Sequence, residues 1–212
     1  MPIDVVYVDN HVLVVNKPAG LLTQPSGTTQ DNLEDQAKAW IKEHYQKPGN
    51  VFLHAIHRLD KPVSGLVLFA RTSKALSRLQ ESMRNKNTRK FYQALVTKKP
   101  SPLEGDLENT LTHGDHKSEV DAEEGKLSTL HYRFIKDHPP YYLVEIELDT
   151  GRYHQIRAQF AHAGMPIVGD VKYGSSEYFN KDTIALHHWR MEFPHPVTGE
   201  LLSFQKPLFS EK

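Results

Sequence analysis

The pattern of apolar and polar positions opens with two runs of β-branched residues, 3–8 and 11–15, flanking Asp9-Asn10-His11. It predicts two strands across a tight turn. Lys17-Pro18-Ala19-Gly20 ends the second, and a polar loop runs over residues 23–30. Asp31 offers an N-cap, and Leu33, Ala37, Trp40, Ile41 and Tyr45 then recur at helical spacing until Pro48-Gly49 stops them. A short strand over 51–56 leads into His57-Arg58-Leu59-Asp60-Lys61-Pro62-Val63-Ser64-Gly65, and residues 66–70 are so uniformly apolar that they predict a buried strand. Thr72 or Ser73 caps a second helix with the stripe Ala75, Leu76, Leu79 and Met83. Residues 91–97 alternate as a strand, with Tyr92, Ala94 and Val96 on one face and Phe91, Gln93 and Leu95 on the other.

Residues 99–126 change character. Prolines, glycines and a crowd of acids, Asp121 and Glu123 among them, predict a mobile polar excursion with a short hairpin around Gly114-Asp115. Strands resume at 128–135 and 141–149 across a hairpin connection. Thr150-Gly151 then turns the chain into a helix ending at Gly164, a C′ glycine. Two last strands, 186–193 and 201–204, close the chain. Strands dominate, hairpins recur, and three helices lie among them. The fold class is α+β with a mixed, mostly antiparallel sheet.

Composition narrows the partners less than the pattern does. The 212 residues suit one domain or two closely fused halves. No cysteine is present, so disulfides and thiolate metal sites are excluded and a cytoplasmic location is expected. The start, Met1-Pro2-Ile3-Asp4, carries no signal-peptide pattern, and no apolar run approaches the roughly 18 residues of a membrane span. Thirteen histidines raise the question of a metal, but no H-E-x-x-H or comparable spacing occurs. The formal net charge is zero, so a nucleic-acid binder must concentrate its cations locally. Arg84, Lys86, Arg89 and Lys90 do so without an intervening acid. Two readings fit them: a solvated helix end favoured by the macrodipole, or a phosphate-binding patch.

Asp60 stands between Arg58 and Lys61, with Pro62 and Gly65 constraining the turn into the core strand. A scaffold holds a reactive carboxylate in such a place, although a surface Asp that merely closes its own turn has the same local signature. Tyr92 reads equally as a core strand residue or as a ring and hydroxyl for a site. Arg152 reads as a cap or as a phosphate ligand.

Three stretches, His57-Arg58-Leu59-Asp60, Arg89-Lys90-Phe91-Tyr92-Gln93-Ala94-Leu95-Val96 and Thr150-Gly151-Arg152-Tyr153-His154-Gln155-Ile156-Arg157, together resemble the RluA-type RNA pseudouridine synthases. The likeness begins at Val14-Val15-Asn16-Lys17-Pro18-Ala19-Gly20, includes Gly169-Asp170-Val171-Lys172-Tyr173-Gly174, and continues through Leu186-His187-His188-Trp189 to Phe193-Pro194-His195-Pro196. It implies a single catalytic domain over residues 1–212, of the short kind without an N-terminal accessory domain, with a central catalytic cleft. The partner is RNA, ribosomal or transfer, no cofactor or metal is needed, and a monomer is expected. Asp60 matches the catalytic aspartate, Tyr92 the tyrosine that packs on the target base, and Arg157 the basic residue paired with the aspartate. Arg58 matches an arginine associated with base flipping, and Leu186 an apolar residue of the base pocket. Tyr153 departs from the family, where threonine is frequent. Two other functions stay open beside this one. A non-catalytic RNA-binding protein would share the scaffold. A glycoside hydrolase needs a second carboxylate, for which Asp170 is the nearby candidate.

Overall fold

The computed structural model describes residues 3–27, 29–120 and 124–209, so Asp121 and Glu123 lie outside the described residues. In chain order these form β1 (Asp4–Val8), β2 (Val12–Lys17), α1 (Leu33–His44), β3 (His54–Ala55), β4 (Ser64–Ala70), α2 (Ser73–Arg84), β5 (Arg89–Val96), β6 (Glu104–His113), β7 (Ser118–Val120), β8 (Lys126–His138), β9 (Tyr141–Leu148), α3 (Gln155–His162), β10 (Leu186–Pro194) and β11 (Leu201–Gln205). The fold is α+β, a mixed and mostly antiparallel sheet with flanking helices, as the alternation predicted. The chain divides into two compact units. One holds residues 1–88 and 190–206; the other holds 89–189 and 207–212.

In the first unit β2 pairs antiparallel with β1 and β4. Val12, Leu13, Val14 and Val15 are fully buried on both faces, which is why the run reads as continuous rather than alternating. Val12, Val14, Leu66, Leu68, Ala75 and Leu79 close one core with Met191 and Phe193, which arrive late in the chain on β10. The same distance in sequence is spanned by His195, whose Nε2 meets Asp9 Oδ2 at 3.0 Å. Asp9 Oδ1 in turn accepts from the backbone N–H of His11 and Val12 and fixes the first hairpin. The cap of α1 is Asn32, one residue beyond the expected Asp31. Its Oδ1 accepts from Asp35 N at 2.9 Å, and that frame turns Leu33, Ala37 and Ile41 inward. Thr72 caps α2. The strand expected over 51–56 shrinks to two residues paired with β4.

In the second unit the strand order is β5-β9-β8-β6-β7, and these neighbours pair antiparallel. The acidic excursion is the main departure from the sequence pattern. A ten-residue strand, β6, hydrogen-bonded along β8, runs through it where a loop was expected. Its acids Glu104, Asp106 and Glu108 alternate outward on one face while Gly105, Leu107 and Asn109 are half-buried on the other, a period of two that the acid count hides. The hairpin at Gly114 is present, closed by Gly114 N to Lys117 O at 2.9 Å. Helix α3 ends where expected. Gly164 has φ +74°, its N–H bonds Ala161 O, and Met165 N–H bonds Phe160 O, each at 3.0 Å, a Schellman ending.

Candidate active-site residues

Asp60 belongs to the first unit, on a turn closed by Val63 N–H to Asp60 O at 3.0 Å. Gly65 follows at φ +124°, a conformation that favours glycine, as its place in the sequence suggested. The backbone on both sides of Asp60 is fastened. Thr23 Oγ1 donates to Leu59 O at 2.8 Å and accepts from Leu59 N at 3.1 Å. On the other side, Lys61 O accepts from Gly20 N at 2.7 Å. Beneath lies Lys17, fully buried, whose ammonium donates to Pro18 O at 3.0 Å, Leu21 O at 2.7 Å and Lys61 O at 3.4 Å. Burial pulls its pKa down to about 7, while the negative charge of Asp60 pushes it back up. Sequence reasoning gave Lys17 no role. The signal was there: a lysine in phase with a fully apolar strand must be satisfied inside. Arg58 is exposed, and Lys61 Nζ reaches Gln30 Oε1. His57 Nε2 accepts from Leu68 N–H at 3.3 Å, a structural bond and not a metal ligand's geometry.

Tyr92 lies in the second unit on β5, 5% exposed, with its ring stacked on His188 at 4.5 Å between centroids and 19° between planes. One face of the ring is therefore supported by imidazole. Leu186 is buried at the start of β10. Arg157, on α3, is buried against Asp170 in a bidentate pair, Nε to Oδ2 at 2.7 Å and Nη2 to Oδ1 at 2.8 Å. Both oxygens of Asp170, 1% exposed, accept from that guanidinium. A carboxylate so held is a poor second catalytic acid, which removes the support for a hydrolase. Arg152 is exposed beside the turn. Gln155 shapes that turn: its Oε1 accepts from Thr150 Oγ1 at 2.7 Å and Arg152 N at 3.1 Å, and its Nε2 donates to Thr129 O at 3.1 Å.

Tyr153, the departure from the family pattern, packs without conflict. It stacks on His154 at 3.8 Å and on His113 at 4.5 Å. Tyr173 OH accepts from Ser118 N–H at 2.7 Å and shares a hydrogen bond with His154 Nδ1 at 3.0 Å. Burial, then the charge of Arg157, push the His154 pKa down to about 3, and the ring stays neutral.

The four cations of the run do not share one environment. Arg84 and Lys86 are exposed, but Arg89 is clasped by Glu147, Nε to Oε1 at 2.8 Å and Nη2 to Oε2 at 3.0 Å. Lys90 is only 8% exposed, because it shares the inward face of β5 with Tyr92. The run 84–90 is not one solvent-facing surface.

The profile of the RNA pseudouridylate synthase family matches residues 11–162. The chain is 33% identical to ribosomal large subunit pseudouridine synthase D of Neisseria meningitidis serogroup A, covering 98% of this chain and 59% of that protein. It is also 33% identical to the uncharacterized RNA pseudouridine synthase YlyB of Bacillus subtilis, covering 98% of this chain and 70% of the relative. The solved structure of human RNA pseudouridylate synthase domain containing 4 shares the fold at a TM-score of 0.80 and 21% identity, over 97% of this chain and 88% of that one. The chain belongs to the RluA-like RNA pseudouridylate synthase family. It spans about three fifths of the length of the Neisseria relative.

Proposed function

We propose that the protein, acting as a monomer, isomerises specific uridines to pseudouridine in structured RNA, in stem-loops of ribosomal RNA or tRNA. Asp60 is the nucleophile in this reading. The observation that carries it is the fastening of the Asp60 turn: Thr23 holds Leu59, while Gly20 and Lys17 hold Lys61, so the carboxylate is presented from a rigid backbone. The reaction breaks the N-glycosidic bond, turns the uracil and rejoins it through carbon 5, which gives up its proton while the freed N1 takes one up. The base must leave its stack, at a cost of a few kcal/mol, and a loop lowers that cost. Arg58 assists flipping, Tyr92 packs on the base, Leu186 lines its pocket, and Arg157 offsets the aspartate's charge. Arg152, Arg84 and Lys86 contact phosphates. A single carboxylate nucleophile suits an isomerase, which keeps the leaving base and uses it again, whereas glycoside hydrolysis ordinarily takes two. A relative named for the large ribosomal subunit supports ribosomal RNA as a substrate.

The test is Asp60→Asn, which keeps the shape and removes the charge. Pseudouridine mapped in total RNA incubated with the wild-type protein should appear at discrete sites, and none should appear with the variant, while RNA affinity and melting temperature hold. Turnover near the wild-type rate in the variant would refute the role of Asp60. Free uracil in place of pseudouridine would refute isomerisation.

A further inference from the structure

Lys90 is a buried cation without a close partner. Among the described residues no acceptor hydrogen-bonds its ammonium and no carboxylate lies within ion-pair distance; only the field of Asp149 acts on it. The side chain is 8% exposed, and its nitrogen is not sealed from solvent, so the charge sits at the end of a buried stem and within reach of an arriving anion. What faces the ammonium is a place where a side chain is missing. A Cβ at Gly151 would stand 3.5 Å from Nζ, and Gly151 itself is exposed. The turn around that opening is held in shape by Gln155, with exposed Arg152 at its rim. The helix that follows has no acid in its first turn and no side-chain cap at His154, so nothing negative fills the space from that side.

We infer that the turn formed by Thr150, Gly151 and Arg152 over Lys90 is a seat for one RNA phosphodiester, with the Lys90 ammonium as the counter-charge within and Arg152 at the edge. The inference rests on the proposed function and gives it a register. Lys90 and Tyr92 are two residues apart on one strand face, about 7 Å. The seated phosphate is therefore one flanking the nucleotide whose base meets Tyr92. Glycine at 151 keeps the route open. Lysine suits the task because a compact ammonium is a point charge that needs no planar partner. Burial pulls its pKa down to about 8, against the opposing pull of Asp149, so an arriving phosphate also supplies the charge that keeps it protonated.

Two variants test this in the full chain with a fluorescein-labelled uridine 12-mer RNA. Lys90→Met removes the charge and keeps an unbranched apolar stem. Gly151→Ala keeps the charge and sets a methyl against it at ordinary contact distance. In both, affinity should fall about tenfold at low salt, as for a lost charge-assisted contact. The slope of log affinity against log salt should drop by about 0.7. Unchanged affinity and slope in both variants would overturn the seat. If Lys90→Met does not fold, Gly151→Ala decides alone. The wild-type pseudouridine assay separates the two ideas. Pseudouridine formed with unchanged slopes sinks only the seat, and reduced slopes with no pseudouridine keep the anion seat and sink the isomerase.

Discussion

Among the described residues each unit of this protein buries one lysine, and the two are solved in opposite ways. Lys17 in the first unit has three carbonyl oxygens for its three N–H donors, from Pro18, Leu21 and Lys61. Lys90 in the second has no hydrogen-bond acceptor among the described residues and faces a glycine. Similar burial therefore means different things. The first ammonium is a fastener spent on local backbone, and one of its three carbonyls belongs to the residue after Asp60. The second is held in reserve for a group the free protein does not contain. Hydrogen-bond accounting, not burial, separates a structural cation from a binding one.

The largest expected effect is on stability. Lys17→Met takes the ammonium donor from Pro18 O and Leu21 O, while Lys61 O keeps Gly20 N–H, and each unsatisfied acceptor costs roughly 1–3 kcal/mol. Urea denaturation should show a loss of about 2 kcal/mol. Lys90→Met strands nothing and removes a desolvated charge, so its change should stay within about 1 kcal/mol. Equal losses would break the distinction.

Proton linkage gives the next effect. A lysine whose folded pKa lies below its unfolded value binds fewer protons when folded, so stability rises as pH climbs through the window between the two. For Lys17 that window runs from about 7 to 10.5, and for Lys90 from about 8 to 10.5. The wild-type advantage over each Met variant should be flat below pH 7 and grow above it, earlier for Lys17. Denaturation series between pH 6 and about 9.5 avoid the tyrosines, whose raised pKa values act in the opposite direction. A pH-independent difference would remove the desolvated ammonium from the account.

Thr23→Val deletes both bonds to Leu59. About 1 kcal/mol of stability should go, and single-turnover pseudouridine formation should fall more than RNA affinity does. Equal falls would leave Thr23 a general structural residue. The smallest effect is expected for Arg89→Ala. Its pair with Glu147 is largely solvent-exposed and worth no more than about 0.5–1 kcal/mol. The salt slope should change less than with Lys90→Met. A larger change would return Arg89 to the phosphate contacts.

The sequence made the Asp60 turn legible because Pro62 and Gly65 constrain it whatever surrounds it. Gly164 was legible for the same reason: a helix end is written in local backbone preference. The cation run 84–90 divides because charge counted along the chain takes no account of face. The alternation that set Tyr92, Ala94 and Val96 together extends back to Lys90 and already placed it inside. The strand β6 was hidden by composition, since its acids crowd one face. The Arg157–Asp170 pair and the Lys17 carbonyls join residues through tertiary structure, and no local pattern announces them.

The division of the chain also has a consequence for how it is made. The first unit is discontinuous: its core needs Met191 and Phe193, and its first hairpin is tied to His195. A ribosome delivers residues in order, at roughly 5–20 per second. The strands that carry Asp60 therefore wait several seconds, with part of their apolar surface uncovered, while the whole of residues 89–189 is translated. The intervening unit is nearly contiguous and can fold on the way out. The scaffold that presents Asp60 is thus completed last, so a nascent chain that stalls inside the second unit carries Asp60 on an unfinished core.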